Sequence, residues 1–159
     1  MSDDTKERDA MDAITLLKND HEKVKGLLEK VDSTTERGVK TREELFGKIK
    51  TELTVHEAIE EEIFYPALKE HVKTKEITLE AYEEHHVVDE IMGEIERTPF
   101  DDERWGAKFT VMKENLEHHI EEEENQMFKQ ARQVLDKGEL ESLGGRMAAR
   151  KEALLSTTA

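Results

Sequence analysis

At 159 residues, with no cysteine and a formal net charge of −15, the chain is the size of one ordinary domain, has no disulfides or thiolate metal ligands, and repels polyanions such as nucleic acid or an anionic membrane surface. Charged residues make up 40% and apolar ones 35%, a balance that would mean disorder if the apolar positions were scattered, but they recur at helical spacing. No apolar run approaches the roughly 20 residues that span a bilayer, and the opening MSDDTKERD is too polar for a signal peptide, so a cytoplasmic location is expected.

A polar segment, 1–11, leads into a first helix from Asp12 to about Val31, whose apolar face is Ile14, Leu17, Val24, Leu28 and Val31. A polar turn with Gly38 follows, and Thr41 with Glu44 reads as a capping box opening a second helix. Its face is Phe46, Ile49, Leu53, Phe64 and Leu68; Pro66 should bend it or end it early, and it fades near Glu70. A threonine-capped third helix runs from about Thr78 to Arg97 with Ala81, Val88, Met92 and Ile95 inward, and Thr98-Pro99 ends it.

Asp101 or Asp102 caps a fourth helix reaching about Leu135, with Phe109, Met112, Leu116, Met127, Ala131 and Val134 on one face, and Gly138 closes it. From Glu139 a short fifth helix reaches Gly144-Gly145 or beyond, on a weak pattern. The expected fold is all-α: an antiparallel up-and-down four-helix bundle over 12–136, with 137–159 as a tail or short C-terminal fifth helix. No strand pattern competes.

Each apolar stripe is interrupted near its middle by histidine. His21 breaks the first face and His85 the third, while the second and fourth carry the pairs His56/Glu60 and His119/Glu123. The spacing His-x-x-x-Glu stacks both side chains on one helical face. In an antiparallel bundle, helix middles meet at one level, so all six groups are expected to converge. Burying two carboxylates and four imidazoles would cost several kcal/mol unless they are paired, neutralised or bound to cations. Imidazole and carboxylate together suit a pair of irons, with zinc or manganese as lesser alternatives.

A single inward histidine is more often a hydrogen-bonded core residue than a ligand. Four at one level are not, since without a metal the bundle would hold a half-satisfied polar network. His86 and His118 each neighbour a chosen histidine on a more polar face and, within a one-residue slip, are alternates or second donors; His71, at the end of the second helix, is expected in solvent. Glu57 and Glu124 border the inward stripes and are alternates too, while the methionines read as core filler.

With these residues in place, the chain resembles the hemerythrin-like, HHE cation-binding family over about Ile14 to Val134. The resemblance rests on Asp20-His21, on the block from His56 through Glu60 to Tyr65-Pro66, on Glu84-His85, and on His119 through Glu124 with Phe128. It implies an oxo- or hydroxo-bridged di-iron site with Glu60 and Glu123 as bridges and the four histidines as terminal ligands, and reversible O2 binding in classical members. The chain departs from those members on the third helix, where a His-x-x-x-His pair is expected but His85 has Ala81 before it and Asp89 after it. Its last carboxylate is also a glutamate four residues after His119, where oxygen carriers place an aspartate five residues on.

A missing histidine leaves an open or water-filled position that Tyr82 could fill, although a packed aromatic is the plainer role for it. The open position favours reaction with peroxide, nitric oxide or O2 over clean storage. The expected function is therefore a di-iron protein that binds, senses or reacts with such a small molecule. Its alternatives are a peroxide- or NO-detoxifying enzyme at the same irons and a metal-free interaction bundle.

Overall fold

The computed structural model describes residues 11–158, so the polar segment 1–11 lies, apart from Met11, outside the described residues. Five helices follow in order: α1 (Ala13–Asp32), α2 (Val39–Ile59, continuing through a π turn, Glu60–Phe64, into Tyr65–Lys69), α3 (Val72–Glu96), α4 (Glu103–Glu122, continuing through a π turn, Glu123–Met127, into Phe128–Val134) and α5 (Lys137–Thr158). Among the described residues there is no strand. Connections of a few residues fold α2, α3 and α4 each back along its predecessor, and α1 packs on α2 as α3 packs on α4. None of these helices is long and apolar enough to cross a membrane.

The helix starts follow local chemistry, with two differences from the sequence reading. Asp12 caps α1 by accepting from the Thr15 backbone N–H at 2.7 Å, and Asp102, not Asp101, caps α4 by accepting from the Arg104 N–H at 2.7 Å. α2 starts earlier than the Thr41 capping box, at Val39 behind Gly38, with no side-chain cap. α3 likewise begins at Val72 with half-buried His71 as its N-cap, so Thr78 is interior and its hydroxyl donates to the Thr74 carbonyl at 2.7 Å. In both cases tertiary packing extends the helix past the local signal.

α5 is a full element of 22 residues that runs straight through Gly144-Gly145 and lies against α1 and α2. Gly144 makes this possible. A Cβ there would meet the Asp12 carbonyl carbon at 2.7 Å and the Ala13 nitrogen at 2.8 Å, with the Met11 carbonyl oxygen closer still. Only glycine lets the two backbones approach so closely.

The core is divided. One apolar layer contains Ile14, Leu17, Phe64, Leu68, Phe128 and Met147, and the other Val24, Leu28, Ile49, Trp105, Phe109 and Met112. Between them lie buried polar residues: His21, His56, Glu60, His85, His119 and Glu123 are all between 0% and 6% exposed.

Candidate metal centre

The helical period places each inward group. On α1, His21 lies one turn after Leu17 and just before Val24; on α3, His85 follows Ala81 and precedes Val88. α2 and α4 supply His56/Glu60 and His119/Glu123 at i, i+4, and at each glutamate the α-helix gives way to a π turn. The extra residue turns the next stretch of chain so that two successive aromatic or apolar residues, Phe64-Tyr65 and Met127-Phe128, all face the core.

The six side chains converge as the periodicity predicted. Atoms of His21, His56, Glu60 and Glu123 lie within 4.8 Å of one another, as do those of Glu60, His85 and His119, so two clusters share Glu60. The rings pair in the same way: His21 and His56 have centroids 5.0 Å apart, and so do His85 and His119. Glu60 Oε1 is 3.2 Å from His56 Nε2 and 3.0 Å from His85 Nε2, while Glu123 Oε1 is 2.9 Å from His21 Nε2.

These approaches are close without being aligned as hydrogen bonds. His21 Nε2, His56 Nε2, His119 Nε2, both oxygens of Glu60 and Glu123 Oε1 have no hydrogen-bond partner although all are buried. Buried polar atoms are rarely left so, and six turned toward one another are the arrangement of donors waiting for cations.

The outer nitrogens are all satisfied. Each Nδ1 meets a carboxylate: His21 that of Glu124 at 2.6 Å, His56 that of Asp20 at 2.9 Å, His85 that of Glu61 at 2.7 Å and His119 that of Glu84 at 2.6 Å. With Nδ1–H donating outward, every Nε2 presents its lone pair inward, the tautomer a metal requires.

The electrostatics show how much positive charge the cluster attracts. Burial pulls the His56 and His119 imidazoles down, but Glu60, Glu123 and the outer carboxylates outweigh it and hold both well above the ordinary histidine value. His85 is raised in the same way by Glu60 and Glu61 against burial and His119. Glu123 is pushed up by burial yet ends well below the usual carboxylate range because His119 and His21 face it. Cations can take the place of these protons.

The alternates resolve clearly. His86 and His118 are exposed, each against a glutamate one turn on, Glu90 at 3.1 Å and Glu122 at 3.4 Å. Glu124 is the acceptor behind His21, one shell out. Glu57 is buried beside Glu61 and His85; burial first, then the neighbouring Asp89, raises it to about 10. Tyr82 is away from the six: its hydroxyl donates to the Glu61 carbonyl at 3.4 Å and its ring stands edge-on to Tyr65 at 5.2 Å.

The residue that periodicity missed is Tyr65. It is fully buried, its hydroxyl donates to Glu123 Oε2 at 2.5 Å and lies 3.3 Å from His85 Nε2. Burial, Glu123 and Glu60 push its phenol well above the ordinary tyrosine value. A signal was present in the sequence, since Tyr65 is five residues after Glu60, but only a π turn closes at that interval.

On the imidazole side of the centre is a small cavity, roughly room for one water-sized molecule. Val24, Leu53, Val88, Leu116 and Ile120 give it apolar walls, and Glu57 is the one carboxyl among its lining residues.

Comparison with known proteins points to a cation-binding domain family. The model of the hemerythrin HHE cation-binding domain matches residues 12–131. The chain is 36% identical over 148 residues, 91% of its own length and 88% of theirs, to Rv2633c of Mycobacterium tuberculosis strain H37Rv and to Mb2666c of Mycobacterium bovis, both described as uncharacterized proteins. It is also similar to the crystal structure of a hemerythrin HHE cation-binding domain-containing protein from Mycobacterium kansasii, described as an Rv2633c homolog, with a TM-score of 0.83, 31% identity, and coverage of 92% of this chain and 89% of that one.

Proposed function

The chain belongs to the hemerythrin HHE cation-binding family, and from that premise we propose that its buried centre holds two irons and binds or reacts with a small molecule of the class of O2, peroxide or nitric oxide. The observation that carries this reading is the ring of buried, unpartnered ligand atoms divided into two clusters that share Glu60. His21 and His56 would hold one ion, His85 and His119 the other, with Glu60 and Glu123 reaching between them. The donor set fits: four imidazoles with carboxylates and a phenol hydroxyl are borderline and hard donors that iron accepts. When bound, such ions supply Lewis-acid and redox chemistry.

The chain's own residues do the rest. Glu124, Asp20, Glu61 and Glu84 orient the imidazoles, Tyr65 holds a proton against Glu123, and the cavity's apolar walls keep bulk water and large ligands away. Metal analysis of protein purified without chelator, combined with optical spectra of reduced and oxidised samples, tests the proposal. About two equivalents of iron, lost in His56→Ala and His119→Ala, support it; metal-free protein that cannot be loaded would leave only an interaction bundle.

A second reading is turnover of peroxide or NO in place of reversible binding; what supports it is Tyr65, a buried proton donor held against Glu123 and 3.3 Å from His85 Nε2. Turnover assays separate the two. Iron-loaded protein that decomposes peroxide no faster than free iron and reduces no NO is a binder or sensor.

A further inference from the structure

The four carboxylates behind the histidines are not equivalent. Glu124, Glu61 and Glu84 are partly exposed, their side chains 25%, 40% and 29% accessible, and among the described residues no Lys or Arg ion pair holds them. Asp20 is 4% accessible, and Lys151 of α5 reaches it: Nζ lies 2.5 Å from Asp20 Oδ1 while Oδ2 faces His56 Nδ1 at 2.9 Å. One cation outside the bundle's first four helices is thus wired through a buried carboxylate to one imidazole. α5 is fixed there twice more, by Gly144 against the start of α1 and by Arg150, whose Nε donates to Glu62 at 2.9 Å.

A carboxylate behind a ligand imidazole draws the Nδ1 proton toward itself and makes Nε2 a stronger donor to the metal. Lys151 opposes this at one histidine only, by drawing Asp20's charge to itself, and it adds a positive charge on that side. Both effects disfavour the more highly charged metal state. We propose that Lys151, acting as a positioning residue through Asp20 and His56, makes the ion held by His21 and His56 easier to reduce than the ion held by His85 and His119, so that the first electron enters on the α5 side. This rests on the two-iron reading above. The step is one ferric ion taking one electron from an external donor, dithionite in the test, to become ferrous; no protein bond forms or breaks.

The test is a reductive titration of iron-loaded Lys151→Met, Lys151→Gln and Lys151→Arg beside the parent protein, with iron content and helicity measured on each. Changes to outer partners of metal ligands act about 10–100-fold, and Lys151, one residue further out, is placed at the low end. Both neutral variants should keep iron and helicity and shift the first reduction negative by about tenfold in the oxidised-to-reduced ratio, about 59 mV for one electron. The second reduction should move by less than half as much, and Lys151→Arg should match the parent. Gln keeps a donor for Asp20, so a shift shared by Met and Gln is due to charge. An unmoved first potential, equal movement of both potentials, an Arg variant that behaves like Met, or loss of iron from both neutral variants would each overturn the proposal. Failure of the two-iron reading shows separately, in the parent protein's own iron content.

Discussion

Six buried side chains converge between the two apolar layers, and their environment sets how they are expected to behave with and without metal. Glu84 fixes the His119 tautomer from 2.6 Å, so Glu84→Ala should weaken the metal position at His85 and His119 by about 10–100-fold, read by competition with a chromophoric chelator. The metal-free protein should also show a characteristic pH dependence. His56, His85 and His119 are raised above 6.5, so the stability they give is full below that value and is lost as pH rises through their raised values. Glu57, raised from 4.5 to about 10, acts with the same sign, because the folded chain keeps a proton the unfolded chain gives up. The melting temperature of metal-free protein is therefore expected to fall from pH 6.5 upward, and that of loaded protein to hold or rise as protons cease to compete with metal; a metal-free profile that is flat or rises there would refute the electrostatic account. At this scale His21, His56, Glu60, His85, His119 and Glu123 were legible, since α-helical spacing alone brings i, i+3, i+4 and i+7 onto one face. Tyr65 was not, because its position depends on a local change of that spacing.

Among the elements, the two π turns and α5 do most to shape the centre. In the first π turn the Tyr65 N–H bonds the Glu60 carbonyl, and the next bond in that pattern, to Glu61, falls to Pro66, which has no N–H. Tyr82 supplies the missing donor at 3.4 Å, so the helix continues past a proline that by itself argued for an early end or a bend. Tyr82→Phe should cost about 1 kcal/mol or less in urea unfolding and leave metal content unchanged; loss of metal would place Tyr82 closer to the centre than its contacts indicate. Gly144→Ala is a sharper test. Its methyl has no space against the backbone of residues 11–13, so α5 must shift, at about 1–3 kcal/mol. Urea unfolding gives that cost, and protease sensitivity of 137–158 shows whether α5 has lifted. The weak apolar pattern of α5 hid its length, because its inward stripe is short, Leu140, Leu143 and Met147, and is supplemented by a glycine contact and two ion pairs.

For the molecule as a whole, a polar layer between two apolar layers makes folding and metal binding interdependent. Without cations the layer holds unpartnered buried atoms, and ligands that bind only the folded state stabilise it by mass action. Chelation should lower the melting temperature, and restored iron should return it; identical curves with and without metal would show that the layer is satisfied by itself. The net charge of −15 adds repulsion that protons or cations at the centre relieve.

The sequence alone determined the all-α class, the helix faces and the six inward groups, because hydrophobic periodicity and side-chain direction are local properties of a helix. The tertiary structure decided what locality cannot express: that the six side chains meet in two clusters sharing Glu60, that each imidazole is oriented by a carboxylate from another helix, and that Tyr65 faces the centre. It also decided the docking of α5, where Lys151 meets Asp20 across 131 positions of chain. Contacts between residues that distant depend on how whole helices pack, and no spacing within a single helix encodes them.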